Sequence, residues 1–220
     1  MRLCLLGPLV PLVALGGTPP GPPAEMGPFL PPDLVEIVAL EPTIRLDIRY
    51  ASANNFLGRP VYDQARAFLQ RPAALALVRA HRALRPAGYG LLVLDGYRPW
   101  SITRLFWERT PPAQRAYVAD PARGSMHNRG CAVDLTLYEL RTGREVEMPS
   151  PYDEASERAH PDYAGGTAEQ RARRDLLRSA LEAVGFTVEP NEWWHYNFHP
   201  CPYPLLDLPL HRLAPAPRPR

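Results

Sequence analysis

Between residues 33 and 50 apolar and polar side chains partly alternate, with Leu34, Val35 and Ile37 in one run, Ile44, Leu46 and Ile48 in the next, and Pro42 between them. Such short β-branched runs suit two strands, or a strand and an extended arm. The spacing then becomes helical. Pro72 stands at the first position of Ala-Ala-Leu-Ala-Leu-Val-Arg-Ala-His-Arg-Ala-Leu, and Pro86 and Gly88 close that run, which predicts a helix. Residues 89–94 (Tyr-Gly-Leu-Leu-Val-Leu) predict a buried strand stopped by Asp95-Gly96. Pro99 opens a second helix that runs to about Glu108.

Residues 131–137 alternate loosely and predict another strand, after which Thr142-Gly143 makes a hairpin-type turn. Thr167-Ala-Glu-Gln170 reads as a capping box. Leu176, Leu177, Ala180, Leu181 and Val184 follow at helical spacing, with Gly185 as the C-cap, so the longest amphipathic helix lies here. Residues 186–189 and 193–198 predict a closing pair of strands. Because strands and helices do not alternate regularly, the expected fold is α+β: a single domain with a central antiparallel sheet and flanking helices. The sequence shows no internal repeat.

The two ends stand apart from this pattern. One early Arg is followed by an apolar run too short to span a bilayer and then by small residues, the order of a signal peptide. Residues 18–32 are dense in Pro and Gly and read as a linker. The domain is therefore expected over 33–213, exported to the periplasm or beyond, with the cytoplasm as the alternative. Residues 214–220 alternate Pro and Arg and are expected to be disordered.

The chain has 220 residues, with 25 Lys plus Arg against 23 Asp plus Glu, a formal net charge of +2. That charge supplies no field to gather nucleic acid or anionic lipid, and neither is expected as a partner. Three cysteines are too few for a disulfide scaffold. Removal of Cys4 with the leader would leave Cys131 and Cys201, which in an exported chain either pair or stand as two small apolar side chains.

Three short motifs carry chemistry. In Ser125-Met-His127-Asn-Arg-Gly130-Cys-Ala-Val-Asp134 a loop histidine precedes a glycine turn and a strand that delivers an aspartate, both suitable zinc ligands. Taken alone, such a pair is more often a satisfied ion pair or core polar pair than a metal site. In Glu192-Trp-Trp-His195, His195 suits a third ligand and Glu192 a carboxylate that takes a proton from water without binding the metal. Trp193 and Trp194 read as core. Asp95-Gly-Tyr-Arg98-Pro99 ends a buried strand, where a guanidinium could stabilise an oxyanion or simply pair with a surface carboxylate.

In this order the three motifs resemble the D-alanyl-D-alanine dipeptidase family of zinc metallopeptidases (peptidase family M15). The likeness extends to Arg49-Tyr50-Ala-Ser52 with Asn55-Phe56 and Gly58, to the Leu-Thr-Leu-Tyr that follows Asp134, to Tyr152-Asp153-Glu154, and to Ser156-Glu157-Arg158-Ala159-His160. It covers residues 34–203. The resemblance implies a Hedgehog/DD-peptidase-like fold and one Zn2+ per chain held by His127, Asp134 and His195. It further implies Glu192 as general base and acid, Arg98 as the carbonyl-polarising group, Ser125 and Asp153 as contacts to a small D,D-dipeptide, and Tyr50 lining the site. The sequence departs from the family at Cys131, where a small hydroxyl residue is usual, at a missing residue between Val61 and Tyr62, and in its exported N-terminus.

Two other functions fit the same motifs. A zinc D,D-carboxypeptidase or peptidoglycan endopeptidase of this fold needs an open groove, whereas residues 148–166 are long enough to cap the site. A non-catalytic zinc-holding module, as in the Hedgehog domain, has no need of Glu192 and Arg98.

Overall fold

A computed structural model describes residues 21–213; the apolar run read as a signal peptide and the Pro/Arg tail lie outside the described residues. The chain forms β1 (Leu34–Glu36), α1 (Ile37–Leu40), β2 (Arg45–Leu46), β3 (Phe68–Gln70), α2 (Arg71–Leu84), β4 (Tyr89–Asp95), α3 (Trp100–Arg109), β5 (Ala132–Glu139), α4 (Ala168–Glu182), β6 (Phe186–Glu189) and β7 (Glu192–Phe198). No helix among the described residues is long and apolar enough to cross a membrane.

The early alternation yields less strand than its pattern suggests. In the first run only Leu34–Glu36 pairs, with β3; Ile37 then enters a helical turn, fully buried, its N–H bonded to Ala67 O at 3.0 Å. Beyond Arg45–Leu46 the chain winds into a 3-10 turn over Arg49–Ala51 that sinks Tyr50 into the core. Burial of these two side chains outweighs the local period.

α2 begins with Pro72 in its first turn and passes through a 3-10 turn to Gly88, left-handed at φ 87°. Its buried face is largely alanine with Leu77 and Leu84, which lets the helix lie close to β4. Truncating Leu77 to Ala would cost about 2–5 kcal/mol through lost burial and the cavity left behind. α4 carries both hydrogen bonds of the predicted capping box, Thr167 with Gln170, and buries Leu177 and Leu181.

The main sheet runs β2-β4-β5-β7-β6. Its β4, β5, β7 and β6 are antiparallel neighbours, as expected, whereas short β2 lies parallel to β4 at the edge. A parallel pair needs a crossover, and the chain supplies one through β3 and α2. Along β5, Val133, Leu135 and Leu137 join the main core under α2 and α4, and the alternation sends Asp134 to the opposite face. The site therefore opens on the face that α2 and α4 leave uncovered.

Two tethers complete the domain. Cys131 and Cys201 form a disulfide, so the sequence's open question is answered by pairing. Within the Pro/Gly-rich stretch, Glu25 accepts a hydrogen bond from Leu205 N at 2.7 Å and pairs with Arg129, and Leu30 N donates to Pro202 O.

Candidate metal centre

Two irregularities in the sheet aim the site residues. Between β4 and β5 the register slips after Val93, so that Asp95 rather than Leu94 stands opposite Asp134. Between β6 and β7, Val188 faces Tyr196 but Glu189 faces Glu192, which leaves residues 193–195 as a bulge. On a regular strand, side chains three apart point to opposite faces. The bulge overturns that rule, and Glu192 Oε2 comes to 3.7 Å from His195 Nδ1. Trp193 and Trp194 are core, as expected, each 2% exposed.

His127 comes from a 3-10 turn closed by Gly130 at φ 70°. The left-handed backbone angle at Gly130 favours glycine, and a Cβ there would also crowd Leu34 Cδ2 at 2.5 Å and Gln70 N at 3.3 Å. The neighbouring Asn128 is fully buried; its amide donates to Arg98 O and Thr103 Oγ1 and accepts from Ser125 N. The loop that carries His127 is thereby tied to the segment that carries Arg98.

His195 lies directly across the β5–β7 pairing from Asp134. Three atoms converge: His127 Nε2 is 3.0 Å from His195 Nδ1 and 3.2 Å from Asp134 Oδ1, and His195 Nδ1 is 3.0 Å from Asp134 Oδ1. The other ring nitrogens meet acceptors, Gly96 O at 2.7 Å from His127 Nδ1 and Asn197 Oδ1 at 2.9 Å from His195 Nε2. Asn197 is oriented by its Nδ2, which faces Glu189 at 3.3 Å. Each imidazole can thus donate a proton outward and, in its neutral form, turn a lone pair inward. Three lone pairs facing one another call for a cation. Ligand atoms about 2.0–2.1 Å from a tetrahedral Zn2+ stand roughly 3.3 Å apart, close to this triangle, and the imidazole–carboxylate donor set suits that ion. Among the described residues, this is the one His, Cys, Asp and Glu cluster with such geometry.

The charges are strongly coupled. Burial alone would raise the Asp134 carboxyl, but the two imidazoles hold it well below the usual carboxylate range. Burial opposes charge on His195, yet its hydrogen bond to Asp134 and the charges of Asp134 and Glu192 push it up to about 9. Burial pushes Glu192 up to about 7, with His195 drawing it down and Asp134 raising it.

Arg98 is 8% exposed. Its guanidinium grips Asp95 at 2.8 Å, lies 3.6 Å from Asp134, and rests over the rings of Tyr50 and Phe106 at 5.4 and 4.8 Å. Tyr50 OH donates toward both Asp153 oxygens at 3.1 Å. Asp153 has φ 63°, strained for a non-glycine residue, and burial together with the charges of Asp134 and Glu192 pushes its carboxyl up to about 8.

A cavity of about 490 Å³ lies over the triangle, and all eight residues singled out from the sequence line it: Tyr50, Arg98, Ser125, His127, Asp134, Asp153, Glu192 and His195. The 148–166 segment contributes Asp153, Glu154 and Ala155 to its wall, but residues between Arg109 and Ala119 also line it, which the sequence reading missed. Asp95, Tyr152 and Asn197 were missed as well. Asp95 and Tyr152 sat inside the quoted motifs, and Asn197 follows His195 at the spacing that shares a strand face.

Residues 32–206 match the family described as D-ala-D-ala dipeptidase, Peptidase M15. A D-alanyl-D-alanine dipeptidase of Enterococcus faecalis is 39% identical over 183 residues, covering 73% of this chain and 89% of that one. One from Escherichia coli is 33% identical over 175 residues, covering 79% and 89%. A vancomycin-resistance D,D-pentapeptidase solved with Zn(II) superposes more loosely, with a TM-score of 0.40 and 18% identity over 63% of this chain and 76% of that one.

Proposed function

This chain belongs to the D-Ala-D-Ala dipeptidase family, and from that premise we propose that it is a zinc peptidase that hydrolyses D-alanyl-D-alanine to two D-alanines. The convergence of two imidazoles that donate outward and the Asp134 carboxylate, beside Glu192, carries the reading. His127, Asp134 and His195 would hold one Zn2+, which when bound would act as a Lewis acid and lower the pKa of water towards about 7.

The side chains divide the remaining work. Glu192, with burial holding it near neutrality, accepts the proton of the attacking water and returns it to the leaving amine. Arg98 donates to the carbonyl oxygen as charge collects there; its grip on Asp95 and its rest on Phe106 hold the guanidinium in place before the reaction. Asp153 and Tyr50 receive the substrate ammonium. A buried carboxyl pushed up to about 8 is short of a counter-charge, and an ammonium beside it supplies one. The Ser125 hydroxyl lines the same cavity and offers the dipeptide a further hydrogen bond. The Cys131–Cys201 disulfide supports export, since such bridges persist in oxidising compartments.

Incubation with D-Ala-D-Ala and with its N-acetyl form, each with and without a chelator, tests the proposal. Acetylation removes the charge opposite Asp153, and the loss of such a pair costs about 2–5 kcal/mol, or roughly 30-fold to several thousand-fold in kcat/KM. Chelator-sensitive hydrolysis of the free dipeptide alone is expected. Equal rates on the two would point instead to a carboxypeptidase whose substrates extend beyond that amine.

A further inference from the structure

We infer that Arg109 binds the C-terminal carboxylate of the dipeptide and so fixes the length of substrate on that side of the scissile bond. The inference rests on the dipeptidase reading and adds a subsite to it.

The cavity is predominantly acidic. Asp134, Asp153, Glu154, Glu189 and Glu192 line it, and of arginines only Arg98 and Arg109 do so. Arg98 is engaged by Asp95 and lies against Asp134. Arg109 pairs with no carboxylate among the described residues and is exposed to the cavity. A zwitterionic dipeptide offers an ammonium for Asp153 and a carboxylate that the acidic walls repel. Arg109 is the lining cation still free to receive it.

The spacing agrees. Phe106, on which the Arg98 guanidinium rests at 4.8 Å, and Arg109 are three apart in α3, hence neighbours on one helix face. Three residues advance about 4.5 Å along the helix axis. In the substrate, the carbonyl that Arg98 serves and the terminal carboxylate are one residue apart, roughly 3.3–3.6 Å in an extended chain. A long, flexible guanidinium arm spans the difference. A helix C-terminus also favours a cation by its dipole, but that would stabilise the fold whichever substrate is present.

The test pairs two substrates with one variant. D-Ala-D-alaninamide keeps the ammonium and the scissile bond but carries no terminal charge. The unmutated zinc-loaded enzyme should hydrolyse it about 10- to 150-fold less efficiently than D-Ala-D-Ala, the range expected for loss of a charged hydrogen bond. Arg109→Gln should lower kcat/KM for D-Ala-D-Ala by a similar factor, mostly through KM, leave the amide nearly unchanged, and retain its zinc. Arg109→Lys should recover part of the loss. Equal rates on the two substrates in the unmutated enzyme, or an equal loss on both in Arg109→Gln, would overturn the inference while leaving the dipeptidase reading intact. No hydrolysis of D-Ala-D-Ala at all would overturn that reading and the inference with it.

Discussion

The Tyr152 hydroxyl donates to Asp134 Oδ2 at 2.8 Å, which leaves Oδ1 as the oxygen that meets both imidazoles. One carboxylate is thus divided between an orienting hydrogen bond and the metal triangle. Tyr152→Phe should keep the fold and lower zinc affinity about 10- to 100-fold, as loss of such an outer partner typically does. Competition with a chromophoric chelator measures it. Unchanged affinity would show that the sheet alone aims Asp134.

Glu192 stands beside His195 without joining the triangle, so its removal should separate chemistry from metal binding. Glu192→Ala should retain stoichiometric zinc and lose about 10²- to 10⁴-fold in kcat. Metal analysis alongside turnover decides it; loss of zinc would make Glu192 a ligand.

Zinc binding should itself depend on pH. With no cation present, Asp134 and Glu192 raise His195 to about 9, so at pH 7 the ring carries a proton that the ion must displace. Apparent affinity should therefore climb about tenfold per pH unit from 7 towards 9 and level off above, when the ring is already neutral. His195→Ala should abolish that slope together with most of the binding. A flat affinity from pH 7 to 9 in the unmutated protein would mean that His195 is neutral throughout.

The disulfide joins residues 70 apart, and closing a loop of that length removes about 4 kcal/mol of unfolded-chain entropy. Cys201→Ser should lower unfolding stability by that order, measured by denaturant titration. Because Cys131 lies between His127 and Asp134, zinc content should be followed in the same variant. Stability equal to that of the oxidised parent would show that the bridge relieves no chain entropy.

The elements with strong local signals were legible in the sequence: α2 from its prolines and alanine-rich face, α4 from its capping box, β4 and β5 from their apolar runs. The site was legible because its residues occur in compact motifs, and all eight line one cavity. The first fifty residues were less legible. Ile37 and Tyr50 owe their positions to burial against distant elements, and β2 finds its parallel partner only after a crossover through α2.

Glu192 and His195 mark the division most clearly. The sequence by itself determined which side chains could hold a cation and move a proton, because ligand and acid–base capacity belong to the residue type. Only the tertiary structure decided how they meet. Spacing along a strand would have set the two on opposite faces, and the bulge at 193–195, a matter of register between β6 and β7, brought them together. In the same way the sequence supplied Cys131 and Cys201 but not their pairing, and Arg109 but not its place on the cavity wall. Register, loop closure and the exposure of a helix face are fixed by contacts between segments far apart in the chain, and no local pattern of residues encodes them.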